Sequence, residues 1–265
     1  MKLQVLISTM NQTDYSLLER MNIHTEAVVI NQCNNNSVKQ FKHNGKNIYW
    51  IDSQERGLSK SRNLALSNSS SDICILADDD EVFCDNYENV IISAFKKWNE
   101  YDLISFQVQG IEEMFKKYSN IGYDVNYLKS MKIASVEIAF KIESVKKYNI
   151  LFDELLGAGT KFLMGEENAF LWNCLRSGLK IRYNPEEISY LHIGNSTWNN
   201  GRDEKFFIGR GASFTGMSRT ASLPLILQFA VRKRKMYSIK MIDAIKYMLA
   251  GRSMYINSKN KNIND

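Results

Sequence analysis

Short apolar runs recur at residues 3–8, 27–30, 47–51 and 73–77, separated by polar or helix-patterned segments such as residues 15–21 and 58–66. Strands buried on both faces read as continuous apolar runs, and strands that alternate with helices pack into a largely parallel sheet. The alternation therefore predicts an α/β fold, a mostly parallel central sheet flanked by helices. The pattern goes on with a helix at 87–98, strands at 103–108 and 136–141, a helix at 166–177 stopped by Gly178, and short strands at 181–183 and 188–192. Residues 114–132, rich in Tyr and Lys, read as a mobile surface segment. With 44% hydrophobic residues in a chain of 265, there is enough apolar material for one large core.

Asp78, Asp79 and Asp80 follow directly on Ile73-Cys74-Ile75-Leu76-Ala77, so three carboxylates emerge where a buried strand reaches the surface. In open α/β sheets the ligand crevice lies beyond the carboxyl ends of the strands, and hard cations such as Mg2+ or Mn2+ take oxygen ligands. One residue separates Asp78 from Asp80, which lets both reach one cation while Asp79 points elsewhere. A solvated acidic turn would use the same residues.

The net charge of +5, from 34 basic and 29 acidic residues, does not ask for a nucleic-acid partner. Cys33, Cys74, Cys84 and Cys174 form no CxxC pair and have no zinc-ligand spacing, which reads as reduced thiols in the cytoplasm. The first residues read as a strand rather than a signal segment, and no run reaches the roughly 18 apolar residues of a membrane span. From about residue 216 to residue 265 a basic, helical appendage is expected after a main domain of residues 1–215, with a tail from Arg252 that frays. The cluster Arg232-Lys233-Arg234-Lys235 lies between apolar helical segments. It suits a peripheral contact with an anionic membrane face, or a packed helix pair with a solvated basic turn.

Three motifs stand in order along the chain. They are Arg56-Gly57-Leu58-Ser59-Lys60-Ser61-Arg62-Asn63, the acidic stretch of residues 72–81, and Gly165-Glu166-Glu167-Asn168. In this order and spacing, residues 3–200 resemble a family 2 glycosyltransferase. The resemblance implies a GT-A fold, a Rossmann-like sheet with the appendage at its C-terminal side. It implies a nucleotide pocket lined by Thr9 and Asn11 at the first strand end, and a base contact at Asn31 and Gln32, where amides replace the family's usual acid. It puts Arg56, Gly57, Lys60 and Arg62 beside the diphosphate, the glycine allowing close backbone approach at a helix N-terminus. A solvated helix face is the alternative for each basic residue alone.

By the same resemblance Asp78 and Asp80 match the DxD motif that holds Mn2+ or Mg2+ against the sugar nucleotide, with Asp79 beside the nucleotide and His192 as a further metal contact. Glu166 and Glu167 stand where the family has a Glu-Asp pair, so Glu167 inherits the role of general base. First-turn glutamates also offset a helix dipole, so the pair could be a cap; Gly157-Ala158-Gly159 upstream supplies a flexible loop. Trp198 would stack on sugar or acceptor.

The implied reaction is inverting single displacement, moving a sugar from a nucleotide-diphosphate donor, UDP in first place, to a hydroxyl of a glycan. The chain has no QxxRW motif and no transmembrane helix pattern, so one addition rather than processive synthesis is expected. A polyprenyl-diphosphate-linked acceptor in cell-surface or capsular polysaccharide assembly follows by analogy. A metal-dependent phosphohydrolase or nucleotidyltransferase could also use Asp78 and Asp80, and a non-catalytic sugar-nucleotide-binding scaffold could keep the fold.

Overall fold

The computed structural model describes residues 1–194, 203–233 and 239–261. Its strands are β1 (Leu3–Met10), β2 (Glu26–Gln32), β3 (Ser37–His43), β4 (Lys46–Ser53), β5 (Ile73–Asp78), β6 (Glu81–Phe83), β7 (Leu103–Gly110), β8 (Tyr123–Val125), β9 (Ile138–Lys141) and β10 (Ile181–Leu191). The helices are α1 (Leu17–Arg20), α2 (Leu58–Asn68), α3 (Tyr87–Lys97), α4 (Tyr127–Ser130), α5 (Ile142–Lys147), α6 (Glu166–Arg176), α7 (Glu204–Met217), α8 (Ser222–Lys233) and α9 (Met241–Lys261).

All the described strands join one sheet in the order β3-β4-β2-β1-β5-β9-β7-β10-β6, with β8 pairing β10. Its centre, β4-β2-β1-β5, is parallel. The antiparallel pairs sit at β3/β4, around β9, and where β10 meets β6 and β8. The central strands are the ones with unbroken apolar runs, and Val5, Ile7, Val28, Val29 and Ile75 are fully buried. Burying each such side chain contributes roughly 1.5–3 kcal/mol. From β1 the chain moves to β2 on one side and later to β5 on the other. The strand order therefore reverses between β1 and β5, where an open α/β sheet leaves its crevice.

The chain forms two compact units. The first comprises Met1–Arg56, Lys60–Leu151 and Cys174–Ser196; the second comprises Gly57–Ser59, Phe152–Asn173 and Thr197–Asp265. This division differs from a boundary at 215/216, which falls inside α7. The reason lies in the helix pair: a Cβ on Gly211 would stand 1.9 Å from Met248 O, and one on Gly251 2.0 Å from Ile208 O, so α7 and α9 touch backbone to backbone.

Other expectations change as well. The tail from Arg252 continues α9 to Lys261, with Tyr255 only 5% exposed and donating a hydrogen bond to Asp153. Residues 114–132 carry β8 and α4 and are pinned: Tyr118 donates to buried Glu137 at 2.8 Å, and Ser119 O accepts from Tyr183 Oη at 2.7 Å. The two short strands at 181–183 and 188–192 are one strand, β10, interrupted by register shifts around residues 183–189.

Candidate active site

The reversal point brings the ends of β1 and β5 together, with Ser8 opposite Asp78 in the parallel register. Each carboxylate of the acidic triplet has a different environment there. Asp78 is paired with the guanidinium of Arg62, whose Nη2 lies 3.0 Å from Oδ1 and 3.3 Å from Oδ2. Arg62 itself is 1% exposed, so a basic residue expected at the diphosphate is instead a buried counter-ion of the strand end. Asp79, exposed, accepts from Thr9 Oγ1 at 2.6 Å, and Thr9 in turn accepts from Gln12 Nε2 at 2.9 Å. Thr9 thus orients an acid at the crevice rim.

Asp80 is the outlier. Its backbone carbonyl accepts from His192 N at 2.9 Å, but side-chain Oδ1 is buried with no hydrogen-bond partner among the described residues. Burial, followed by the charges of Asp78 and Asp79, pushes its carboxyl up to about 6. A buried unpartnered carboxylate oxygen is costly unless something satisfies it, and a divalent cation is a fitting partner for such an oxygen. No three His, Cys, Asp or Glu side chains among the described residues converge into a metal cage. The donor set therefore fits a Mg2+-like ion held by one or two carboxylates and completed by substrate phosphates and water. Next in line, Glu81 is also buried; it accepts from Ser189 Oγ at 2.5 Å, and burial raises its carboxyl well above the usual range.

His192 is exposed, and its Nδ1 lies 2.8 Å from Glu112 Oε1, while Ile193 N donates to Glu112 Oε2 at 2.8 Å. The hydrogen bond from His192, then that from Ile193 N, holds the Glu112 carboxyl down to about 2. With Nδ1 engaged, Nε2 is the nitrogen left for a ligand, the arrangement common behind metal-binding histidines. Glu112 was not legible in the sequence, because it lies 80 residues from its partner and within no motif.

The amide expected at the base has no donor to spare. Asn31 Nδ2 donates to Gln12 O at 3.0 Å and Asp52 Oδ1 at 2.8 Å, and Oδ1 accepts from Gln12 N at 2.9 Å. With both N–H groups engaged and 1% exposure, Asn31 ties the ends of β1, β2 and β4 together and forms the wall of the crevice. Gln32, next to it, is 5% exposed. Asn11 turns the chain after β1 in the left-handed region at φ +54°, its N–H bonded to Gln32 O at 3.1 Å. Arg56 spends its guanidinium on Cys33 O, Ser53 O and Asn34 Oδ1, stapling the loops after β2 and β4. The side chain of Lys60, half-buried, has no hydrogen bond or ion pair to the described residues.

In the second unit, Glu166 and Glu167 open α6. Glu166 is 6% exposed and lies under Gly157, where an added Cβ would come 3.1 Å from Glu166 Cδ; Glu167 is half-buried and the more accessible. The loop before them is not loose. Thr160 Oγ1 lies within hydrogen-bond reach of the Leu155, Gly157 and Phe162 carbonyls, nearest to Gly157 O at 2.7 Å, Ser59 Oγ donates to Leu156 O at 2.7 Å, and Leu58 N donates to Ala158 O at 2.9 Å. The last bond uses one of the N–H groups that α2 would offer a diphosphate. The close approach at Gly57 is to Gly159, whose added Cβ would lie 3.4 Å from Gly57 Cα. Trp198 lies outside the described residues.

Sheet order, reversal point and strand-end acids define a GT-A glycosyltransferase fold. The sequence profile of Glycosyl transferase family 2 matches residues 8–153, more than half of the chain, so the protein belongs to the family 2 glycosyltransferases and is an enzyme of that family. Membership sets aside the phosphohydrolase and nucleotidyltransferase readings. No curated protein sequence matches. Among solved structures, Staphylococcus aureus TarS 1-349 superposes with a TM-score of 0.62 at 15% identity, covering 97% of this chain and 88% of that one. The same fragment in complex with UDP gives 0.57 at 17% identity over 82% and 65%. In complex with UDP-GlcNAc it gives 0.59 at 16% over 82% and 66%. At these identities the likeness is one of fold.

Proposed function

We propose that the protein transfers one sugar from a UDP-sugar to a hydroxyl of a glycan acceptor with inversion at the anomeric carbon. The observation that carries this reading is the buried, unpartnered Oδ1 of Asp80 at the reversal point of the sheet, in a chain of this family. The UDP and UDP-GlcNAc complexes of the similarly folded TarS support uridine as the base and a sugar diphosphate as the donor.

One or two of Asp80, Asp78 and the Nε2 of His192 would hold Mn2+ or Mg2+, with substrate phosphates and water completing its shell. Such an ion, when bound, offsets the charge of the departing diphosphate. Arg62 fixes the Asp78 carboxylate in place, and Thr9 fixes that of the rim acid Asp79. Glu167 accepts the proton of the acceptor hydroxyl as its oxygen bonds to the anomeric carbon and the bond to the nucleoside diphosphate breaks. No covalent intermediate is needed, because one base and one displacement account for the bonds made and broken. Glu166 supports the turn that presents Glu167. The acceptor is a lipid-linked glycan of a cell-surface or capsular polysaccharide, reached from the cytoplasmic side.

The test is a thermal-shift panel of UDP-, GDP- and dTDP-sugars with and without Mn2+, on the native chain and on Asp80→Asn. Binding to the folded state raises the melting temperature by mass action. A metal-dependent rise with UDP-sugars only, lost in the variant, is the expected result; an equal response to every nucleotide, or none, overturns the donor assignment.

A further inference from the structure

Charge is divided unevenly along the chain. Residues 1–204 hold 22 Lys and Arg against 27 Asp and Glu, whereas residues 205–265 hold 12 against 2. The basic excess falls on the helices of the second unit. Within them α8 is apolar on two sides. Its inner side buries Leu225, Ile226 and Ala230 among α7 and α9; Phe229 meets Phe214 edge-on at 5.7 Å, and Arg252 Nε donates to Ser222 Oγ at 3.0 Å.

Its outer side shows Leu223, Leu227 and Val231, at i, i+4 and i+8, which are 45%, 54% and 56% exposed. Pro224 and Gln228 are exposed beside them, and Arg232 and Lys233 close the helix. No acidic residue occurs between Glu204 and Asp243. A helix in water has no reason to turn a continuous leucine–valine stripe outward with cations at its end.

We propose that this outer face of α8 docks on an anionic lipid bilayer, the stripe entering the headgroup–acyl boundary and Arg232 and Lys233 meeting lipid phosphates. The charge decides between occupants. A second copy of the chain would bring the same basic excess against itself, and a nucleic acid would leave the apolar stripe in water. An anionic bilayer satisfies both halves of the face, and no described helix is long and apolar enough to cross it, so the contact is peripheral. The inference deepens the lipid-linked-acceptor reading and rests on it for its purpose. Vesicle binding is nevertheless read without turnover, so the two can fail separately.

Co-sedimentation of the full chain with vesicles of phosphatidylglycerol and phosphatidylcholine, compared with phosphatidylcholine alone, tests it. The expected result is binding to the anionic vesicles that weakens steeply as salt rises. Leu223→Ser with Leu227→Ser should lower partitioning by roughly tenfold or more. Arg232→Gln with Lys233→Gln should lower it by roughly fivefold per charge, leaving the melting temperature unchanged. The idea is overturned by equal partitioning to neutral vesicles, by stripe or charge variants that bind like the native chain, or by a self-associating chain whose dimer is lost in Leu227→Ser. Transfer to a soluble acceptor that persists in the stripe variant would show the catalytic reading intact whichever way the vesicles answer.

Discussion

At the end of β5 every acid answers to a different side chain, Asp78 to Arg62 and Asp79 to Thr9, while Asp80 Oδ1 is left over. At the start of α6 the acids stand on a tightly turned main chain. Gly157 lies on Glu166, Gly165 sits at φ +89° with Ser213 Oγ where its Cβ would be, and Thr160 and Ser59 fasten the preceding carbonyls. A site made of side chains can be retuned one group at a time. A site made of backbone turns fails as a whole when one of them is blocked. The same family of chemistry thus rests on two kinds of precision, and the two should respond to mutation differently.

The largest effect should come from Glu167→Gln, which keeps shape and removes the carboxylate proposed as the base. Steady-state transfer should fall by roughly 10²- to 10⁴-fold, with donor affinity unchanged by titration; a variant that retains its turnover would move the base elsewhere. Next, Gly165→Ala should break the second region physically, because the new methyl group would stand 1.9 Å from Ser213 Oγ on a left-handed backbone. Urea unfolding should show a loss of about 2–3 kcal/mol, and a stability equal to that of the native chain would mean the turn is looser than drawn.

The first region is sharpened by a pair of substitutions. Asp78→Asn takes one charged hydrogen-bond partner from buried Arg62 and should cost about 1–3 kcal/mol of stability, whereas Asp80→Asn removes a carboxylate with no partner for Oδ1 and should cost none. Equal losses in the two variants would contradict the separate environments. The smallest effect belongs to Glu112→Gln, which should leave stability within about 0.5 kcal/mol and weaken metal-dependent donor binding by roughly tenfold. Isothermal titration with Mn2+ present and absent reads it, and a uniform loss in both would assign Glu112 to the loop alone.

The central sheet was readable because β1, β2 and β5 are buried on both sides and so spell continuous apolar runs. The edge strand β3 was not. Ser37, Val38, Lys39, Gln40, Phe41, Lys42 and His43 are partly or wholly exposed, and pairing with β4 alone imposes no apolar pattern. Helix α7 hid behind Gly209, Gly211 and Gly216, residues that weaken an isolated helix and here admit its neighbours. Within the site, residue types and order were legible at Asp78–Asp80 and Glu166–Glu167. Which acid is neutralised by which neighbour was not, because Arg62, Thr9 and Glu112 meet their partners from 16, 70 and 80 residues away.

The hydrogen bond from Tyr255 to Asp153 spans 102 residues and fastens α9 to the first residues of the turn leading to Glu166. Every described strand lies before residue 192, so a nascent chain emerging from the ribosome can close its sheet early. The turn that leads to Glu167 waits for α9, which emerges after every one of these strands. Leu156 and Phe162 pack in one cluster with Ala169, Ala212 and Tyr255, which Tyr255 completes. A polypeptide interrupted before Tyr255 would thus carry the finished sheet and its strand-end acids without the fastening of the turn that leads to Glu166 and Glu167.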